Sequence, residues 1–133
     1  MLHSISVKEY MSASVVTFSP DDDVLDAIHT LVERRISGSP VVDGAGNIVG
    51  MLSEKDCLKV ALEAGYNEGM GGKVGDYMTA NVETIDADSS IMEVAKAFID
   101  QPYKRFPVVD EEERLVGQIS RADVLRAIEK IRV

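Results

Sequence analysis

Residues 7–58 of this chain fall on residues 74–125 without a gap, at a constant offset of 67 positions. Sixteen of the 52 pairs are identical. Val7, Tyr10, Met11, Ala13, Val15, Thr17 and Asp21 meet Val74, Tyr77, Met78, Ala80, Val82, Thr84 and Asp88. Pro40-Val41-Val42-Asp43 meets Pro107-Val108-Val109-Asp110. Val49-Gly50, Ser53, Asp56 and Leu58 meet Val116-Gly117, Ser120, Asp123 and Leu125. A gapless match of this length implies two copies of one supersecondary unit, related by a pseudo-two-fold axis. One copy of about 55 residues struggles to close its own core, so the copies are expected to share one.

Each copy reads β-α-β-β-α. Ser14–Phe18 is β-branched and aromatic, which predicts a strand. Pro20-Asp21-Asp22-Asp23 places carboxylates at the positive end of a helix. Val24, Ala27, Ile28, Leu31 and Val32 then give it an apolar face. Ile36–Ser39 breaks the helix, and strands at 40–42 and 48–52 flank a turn at 43–47, forming a hairpin. A second helix runs from Ser53 to about Ala64. The second copy predicts strands at 82–85, 107–109 and 115–119 and helices at 89–100 and 121–131. The fold class is α+β, with the two copies packed sheet to sheet. The segments are 7–64 and 74–131, joined by a glycine-rich linker at 65–73. That linker lacks the Gly-Lys-Ser/Thr ending of a phosphate loop.

Charge narrows the function. Twenty-three acidic and 14 basic residues give a net charge of −9. A protein that coats nucleic acid draws its affinity from excess Lys and Arg, so that role is not expected. A small anion at a locally basic spot is compatible. The single cysteine, Cys57, leaves no disulfide framework and no cysteine-rich zinc site, which fits a reducing cytoplasm. The first residues carry no apolar signal region, and no apolar run reaches the roughly 18 residues a membrane span needs. The expected setting is therefore cytoplasmic, away from membranes.

Catalysis has little support. His3 and His29 are far apart in sequence and carry no metal spacing. Cys57 has Val124 as its repeat mate and reads as a small core residue. An enzyme is not expected, and neither a metal nor a required cofactor. The repeated chemistry is Ser53-x-x-Asp56 and Ser120-x-x-Asp123. One reading is a capping box at a helix start. The other adds a ligand, with the hydroxyl and first-turn amides facing an anion and the carboxylate accepting from a ribose diol. The two readings are compatible. Gly38 likewise suits either a helix C-cap or a close ligand approach.

The repeated Pro-Val-Val-Asp, the turn, and the strand ending Gly-x-hydrophobic-Ser-x-x-Asp resemble the CBS domain pair, or Bateman module. Tyr10-Met11-Ser12 and Tyr77-Met78-Thr79 also look like that family's opening segments. The resemblance covers residues 7–131. It implies a tandem CBS fold that binds an adenine nucleotide or adenosyl ligand (AMP, ADP, ATP or S-adenosylmethionine) in clefts between the repeats. By this resemblance the first nucleotide site comprises Ala13, Val15, Thr17, Ile36, Ser37, Gly38, Pro40, Ser53 and Asp56, joined by Lys104 and Arg105. The second comprises Ala80, Val82, Thr84, Tyr103, Pro107, Ser120, Arg121 and Asp123.

Ile36-Ser37 and Tyr103-Lys104 occupy the family's adenine-holding positions, and the aspartates its ribose positions. Arg105, implied to reach the phosphates of the first site, has the uncharged Gly38 as its repeat mate. The two sites are therefore expected to be unequal, with the first favoured. Arg121, beside Ser120, would partly compensate at the second. The implied role is regulatory energy sensing as a homodimer, signalling in trans to a partner protein. The competing reading is a ligand-free module used only for dimerisation.

Overall fold

A computed structural model describes residues 1–64 and 71–131, so most of the 65–73 linker lies outside the described residues. Two 3-10 turns, Leu2–Ser4 and Val7–Glu9, come first. They are followed by α1 (Val24–Arg34), β1 (Gly38–Val42), β2 (Ile48–Ser53) and α2 (Glu54–Ala64). Then come α3 (Val74–Tyr77), β3 (Ile85–Asp86), α4 (Ile91–Asp100), β4 (Arg105–Val109), β5 (Leu115–Ser120) and α5 (Arg121–Lys130).

The hairpins and long helices follow the repeat. β1 and β2 are antiparallel with Gly38 opposite Ser53, and β4 and β5 pair in the same register with Arg105 opposite Ser120. α1 starts where the Asp23 carboxylate accepts from the Leu25 amide at 2.8 Å, and α4 where Ser90 Oγ accepts from the Glu93 amide at 3.1 Å. These caps satisfy amides that have no partner inside the helix. The strand predicted at 14–18 does not form. Only Phe18 pairs, by a parallel bridge to Val41. In the second copy only Ile85 of the expected 82–85 pairs, and with Asp86 it runs parallel to β4. Val15, Val16 and Thr17 have strand propensity but no neighbouring strand to complete a ladder, and context overrides propensity there. The helix face predicted for α1 is also narrower than read. Val24, Ala27 and Leu31 are buried, but Val32 is 71% exposed, because its offset of eight carries it past the edge of the stripe.

Packing divides the chain differently from the repeat. One compact unit comprises Val16–Val82, and the other comprises Met1–Val15 with Glu83–Val133. The opening segment of each repeat therefore packs into the unit built from the body of the other repeat. Val74 and Tyr77 lie in the core of the first unit with Phe18, Val24, Leu31, Val41, Leu52 and Val60. Val7 lies in the core of the second with Ile91, Val94, Phe98, Phe106, Val108 and Ile119. The exchanged segments also dock by backbone. Met51 and Thr79 exchange N–H···O bonds of 2.9 Å in both directions, and so do Ser12 and Gln118.

Two glycines permit this approach. A Cβ on Gly50 would stand 2.6 Å from Met78 Sδ and 2.9 Å from the Thr79 carbonyl oxygen. A Cβ on Gly117 would stand 2.6 Å from Met11 Sδ and 2.7 Å from the Ser12 carbonyl oxygen. The thioether can swing aside. The carbonyl, held in the bridge, cannot. Gly50→Ala and Gly117→Ala should each lower the unfolding free energy by about 1–3 kcal/mol in urea titrations, as overpacking does. Gly44→Ala is the control, because nothing lies within 4 Å of its Cβ position.

The two hairpin turns share one geometry with unequal residues. Asp43 Oδ1 accepts from the Ala45 and Asn47 amides at 2.9 Å each, which holds its carboxyl below the usual range. Asp110 Oδ1 accepts from the Glu112 amide at 2.8 Å and the Arg114 amide at 3.0 Å. The left-handed position of the first turn is Gly46, at φ 89°, and of the second is Glu113, at φ 63°. Placing a side chain there costs energy that glycine avoids. Glu113→Gly should stabilise the protein by about 0.5–1 kcal/mol despite glycine's greater freedom when unfolded, read as a raised thermal midpoint.

Candidate functional site

In both units the hairpin's returning strand ends in a serine that starts a helix. Ser53 closes β2 before α2, and Ser120 closes β5 before α5. The segment ahead of the hairpin bonds to the same junction. The Ser37 carbonyl accepts from the Glu54 amide at 2.9 Å, and the Lys104 carbonyl from the Arg121 amide at 3.4 Å. The structure thus brings Ser37, Gly38, Ser53 and Asp56 together in the first unit. It brings Lys104, Arg105, Ser120, Arg121 and Asp123 together in the second.

The capping-box geometry is present at both junctions. Asp56 Oδ2 accepts from the Ser53 amide at 3.0 Å, and Ser53 Oγ accepts from the Asp56 amide at 3.1 Å. The matching distances for Ser120 and Asp123 are 2.8 and 3.3 Å. Both carboxylates are buried, Asp56 at 5% and Asp123 at 8% exposure. A carboxylate so enclosed needs several donors. Lys59 and Arg126, three residues on and at matching repeat positions, supply one each, at 3.4 and 2.6 Å. Thr79 Oγ1 adds another to Asp56, at 3.2 Å from Oδ1. Thr79 belongs to the exchanged opening segment, and no local sequence signal connects it to Asp56. Lys59 and Arg126 were findable, because both are basic at one repeat position.

The surroundings of the two junctions differ in charge. Exposed Lys104 and Arg121 and half-buried Arg105 gather at the start of α5, where the first unit has Ser37, Gly38 and Glu54. The guanidinium of Arg105 is held by the Gln118 amide. With the amide oxygen oriented toward it, as the hydrogen-bond geometry requires, the contacts are 3.0 Å from Nη1 and 3.3 Å from Nε. Gln118 takes the place of Met51, so both members of this pair are departures from the repeat.

The remaining candidates are divided. Pro40 and Pro107 are fully buried in β1 and β4. Gly38 is a buried strand residue and not a helix cap. α1 ends at Arg34, and Arg35 takes the left-handed capping position. A Cβ on Gly38 would lie 3.0 Å from the Leu52 carbonyl oxygen, a tight approach of strand to strand. Ile36 packs against the first core, and exposed Thr17 precedes Phe18 in the same unit. Ala13 and Val15 belong to the unit of the second repeat's body. Ala80 and Val82 belong to that of the first. Thr84 and Tyr103 lie with the second repeat's body, and Tyr103 sets its ring edge-on to Phe106 at 5.6 Å.

Cys57 is half-buried against the first core, and burial beside Asp56 and Glu54 pushes its thiol pKa up, away from a nucleophile's. His29 is exposed and lies 2.7 Å from Glu33. Among the described residues no helix is long and apolar enough to cross a membrane.

Comparison with known proteins identifies the fold. The family model described as the CBS domain matches twice, over residues 7–63 and 74–130. The chain is 28% identical to the uncharacterized protein MJ1426 of Methanocaldococcus jannaschii, covering 92% of this chain and 90% of that protein. It is 34% identical to that organism's inosine-5'-monophosphate dehydrogenase over 89% of this chain, but spans only 22% of the dehydrogenase. Among solved structures, CBSX2 of Arabidopsis thaliana in complex with AMP is similar at a TM-score of 0.84 and 27% identity. That match covers 97% of this chain and 99% of the other. The CBS domain pair of MJ0100, in complex with 5-methylthioadenosine and S-adenosyl-L-methionine, is similar at 0.78 and 26% identity. It covers 94% of this chain and 96% of the other.

Proposed function

Because the chain belongs to the CBS domain family, as a tandem pair, we propose that it is a non-enzymatic regulatory module that binds an adenine nucleotide or adenosyl ligand. The observation that carries this reading is the twofold occurrence of one junction. In each unit a buried aspartate is fixed at a helix start, beside a serine and a strand-entry carbonyl. Such an aspartate can accept from a ribose diol, and the adjacent helix amides favour an anion. CBSX2 with AMP and MJ0100 with adenosyl ligands support the ligand class.

In this proposal Asp56 and Asp123 take the ribose of separate ligands, while Ile36-Ser37 and Tyr103-Lys104 line the adenines. Arg105, pinned by Gln118, meets the phosphates, for which its paired donors are suited. Binding changes the packing around the junctions and biases a partner protein. Calorimetry with AMP, ADP, ATP and S-adenosylmethionine tests the reading. At least one should bind at micromolar to low millimolar concentration, and Asp56→Ala and Asp123→Ala should each weaken their own site about tenfold or more. Failure of all four at millimolar concentration overturns it.

A homodimer is part of the proposal. Leu25, Val32 and Leu58 are large, apolar and exposed, and so are Met92, Ile99 and Leu125 at the same three positions of the second repeat. Val32 and Ile99 are 71% and 84% exposed, which is costly for a free monomer when the same feature recurs in both units. A second copy covering these helix faces fits the closed symmetry most oligomers adopt. Sedimentation should give twice the chain mass for the wild type. The double variant Val32→Glu/Ile99→Glu should shift the population to monomer while leaving circular dichroism unchanged.

A further inference from the structure

The two aspartates differ in how much of their accepting capacity is already used. A carboxylate offers about four acceptor positions. Asp56 meets Ser53 N and Ser53 Oγ at 3.0 Å each, Thr79 Oγ1 at 3.2 Å and Lys59 Nζ at 3.4 Å. Thr79 Oγ1 also lies 3.4 Å from the second oxygen, Oδ2, so its hydrogen is shared across the carboxylate. Asp123 meets only Ser120 N at 2.8 Å and Arg126 Nη2 at 2.6 Å among the described residues. Ser12, the repeat mate of Thr79, turns its hydroxyl to the Ser14 carbonyl at 3.4 Å instead.

We propose that the Thr79 hydroxyl is an internal competitor for the ligand of Asp56, so that a ribose diol binds there only by displacing it, whereas Asp123 stands open. The proposal rests on the reading of these aspartates as diol acceptors and sets the order in which they fill. The order is Asp123 before Asp56, the reverse of the one that Arg105 alone suggests. Displacement has a structural consequence. Thr79 is bonded through its backbone to Met51 and lies two residues beyond Tyr77, a core residue of the same unit. A diol on Asp56 therefore acts directly on the exchanged opening segment.

The test is calorimetric titration of the full chain with AMP in an Asp123→Ala background, which isolates the Asp56 site. Thr79→Val, which keeps the side-chain shape and removes the donor, should tighten binding about five- to tenfold, the size of one freed hydrogen bond. Thr79→Ser, which restores the donor, should return the affinity to that of the background. Titration with 2′,3′-dideoxyadenosine monophosphate should show no Thr79→Val gain, because the competition is for the diol. An unchanged or weakened AMP affinity in Thr79→Val overturns the inference and leaves the nucleotide-binding reading standing. So does an equal gain for the dideoxy compound. If no form of the chain binds AMP, ADP, ATP or S-adenosylmethionine, both fall. Urea unfolding of each variant separates a folding defect from a change at the site.

Discussion

The close approach of main chain to main chain at Gly50 and Gly117 is the contact on which the architecture turns. Each glycine lets an opening segment lie against a hairpin strand, with its carbonyl inside the distance a methyl group would occupy. That contact is made by residues 67 positions away from the strand's own opening segment. As a result Val74 and Tyr77 complete one core, and Val7 completes the other. Neither repeat is a self-sufficient unit, which is the physical counterpart of its small size. The repeat persists as a pair because each copy contributes a piece the other lacks.

The Ser-x-x-Asp junctions join folding to the proposed chemistry. The cap satisfies first-turn amides that would otherwise be orphaned, so the serine and aspartate have a structural role whatever the ligand. The same requirement fixes the carboxylate in one rotamer, buried and aimed. A group held this rigidly is pre-organised for a diol, and its orientation is not lost or regained on binding. Evolution of a ligand site at such a place needs only that some accepting capacity be left open. How much is left depends on neighbours such as Thr79, Lys59 and Arg126.

Charge has a local meaning here and little global one. The net charge is −9, yet Lys104, Arg105 and Arg121 collect at the start of α5. The two repeats differ at one linked pair: Arg105 and Gln118 replace Gly38 and Met51 together, and they contact each other. The backbone keeps the symmetry of the repeat while this pair breaks it, so the two junctions differ in charge.

Much of this was legible in the one-dimensional pattern. The 67-residue offset, the Pro-Val-Val-Asp hairpins and the spacing of apolar residues over 24–31 give the elements and their order, because periodicity and turn chemistry are local. The Ser-x-x-Asp caps are local as well, and so were found with their partners. Other features are long-range. No local rule links Thr79 to Asp56, Gln118 to Arg105, or Val7 to the core of the second repeat's body. Val15–Thr17 has the composition of a strand but no strand beside it, so propensity misled there. Gly38 resembles a helix stop until β1 and β2 pair and the Leu52 carbonyl comes to 3.0 Å from its Cβ position. The sequence by itself determined that there are two copies of one unit and where each capped helix begins, since neighbours in the chain decide those things. Only the tertiary structure decided which copy each opening segment completes and which aspartate is already occupied, since both depend on groups that meet through folding alone.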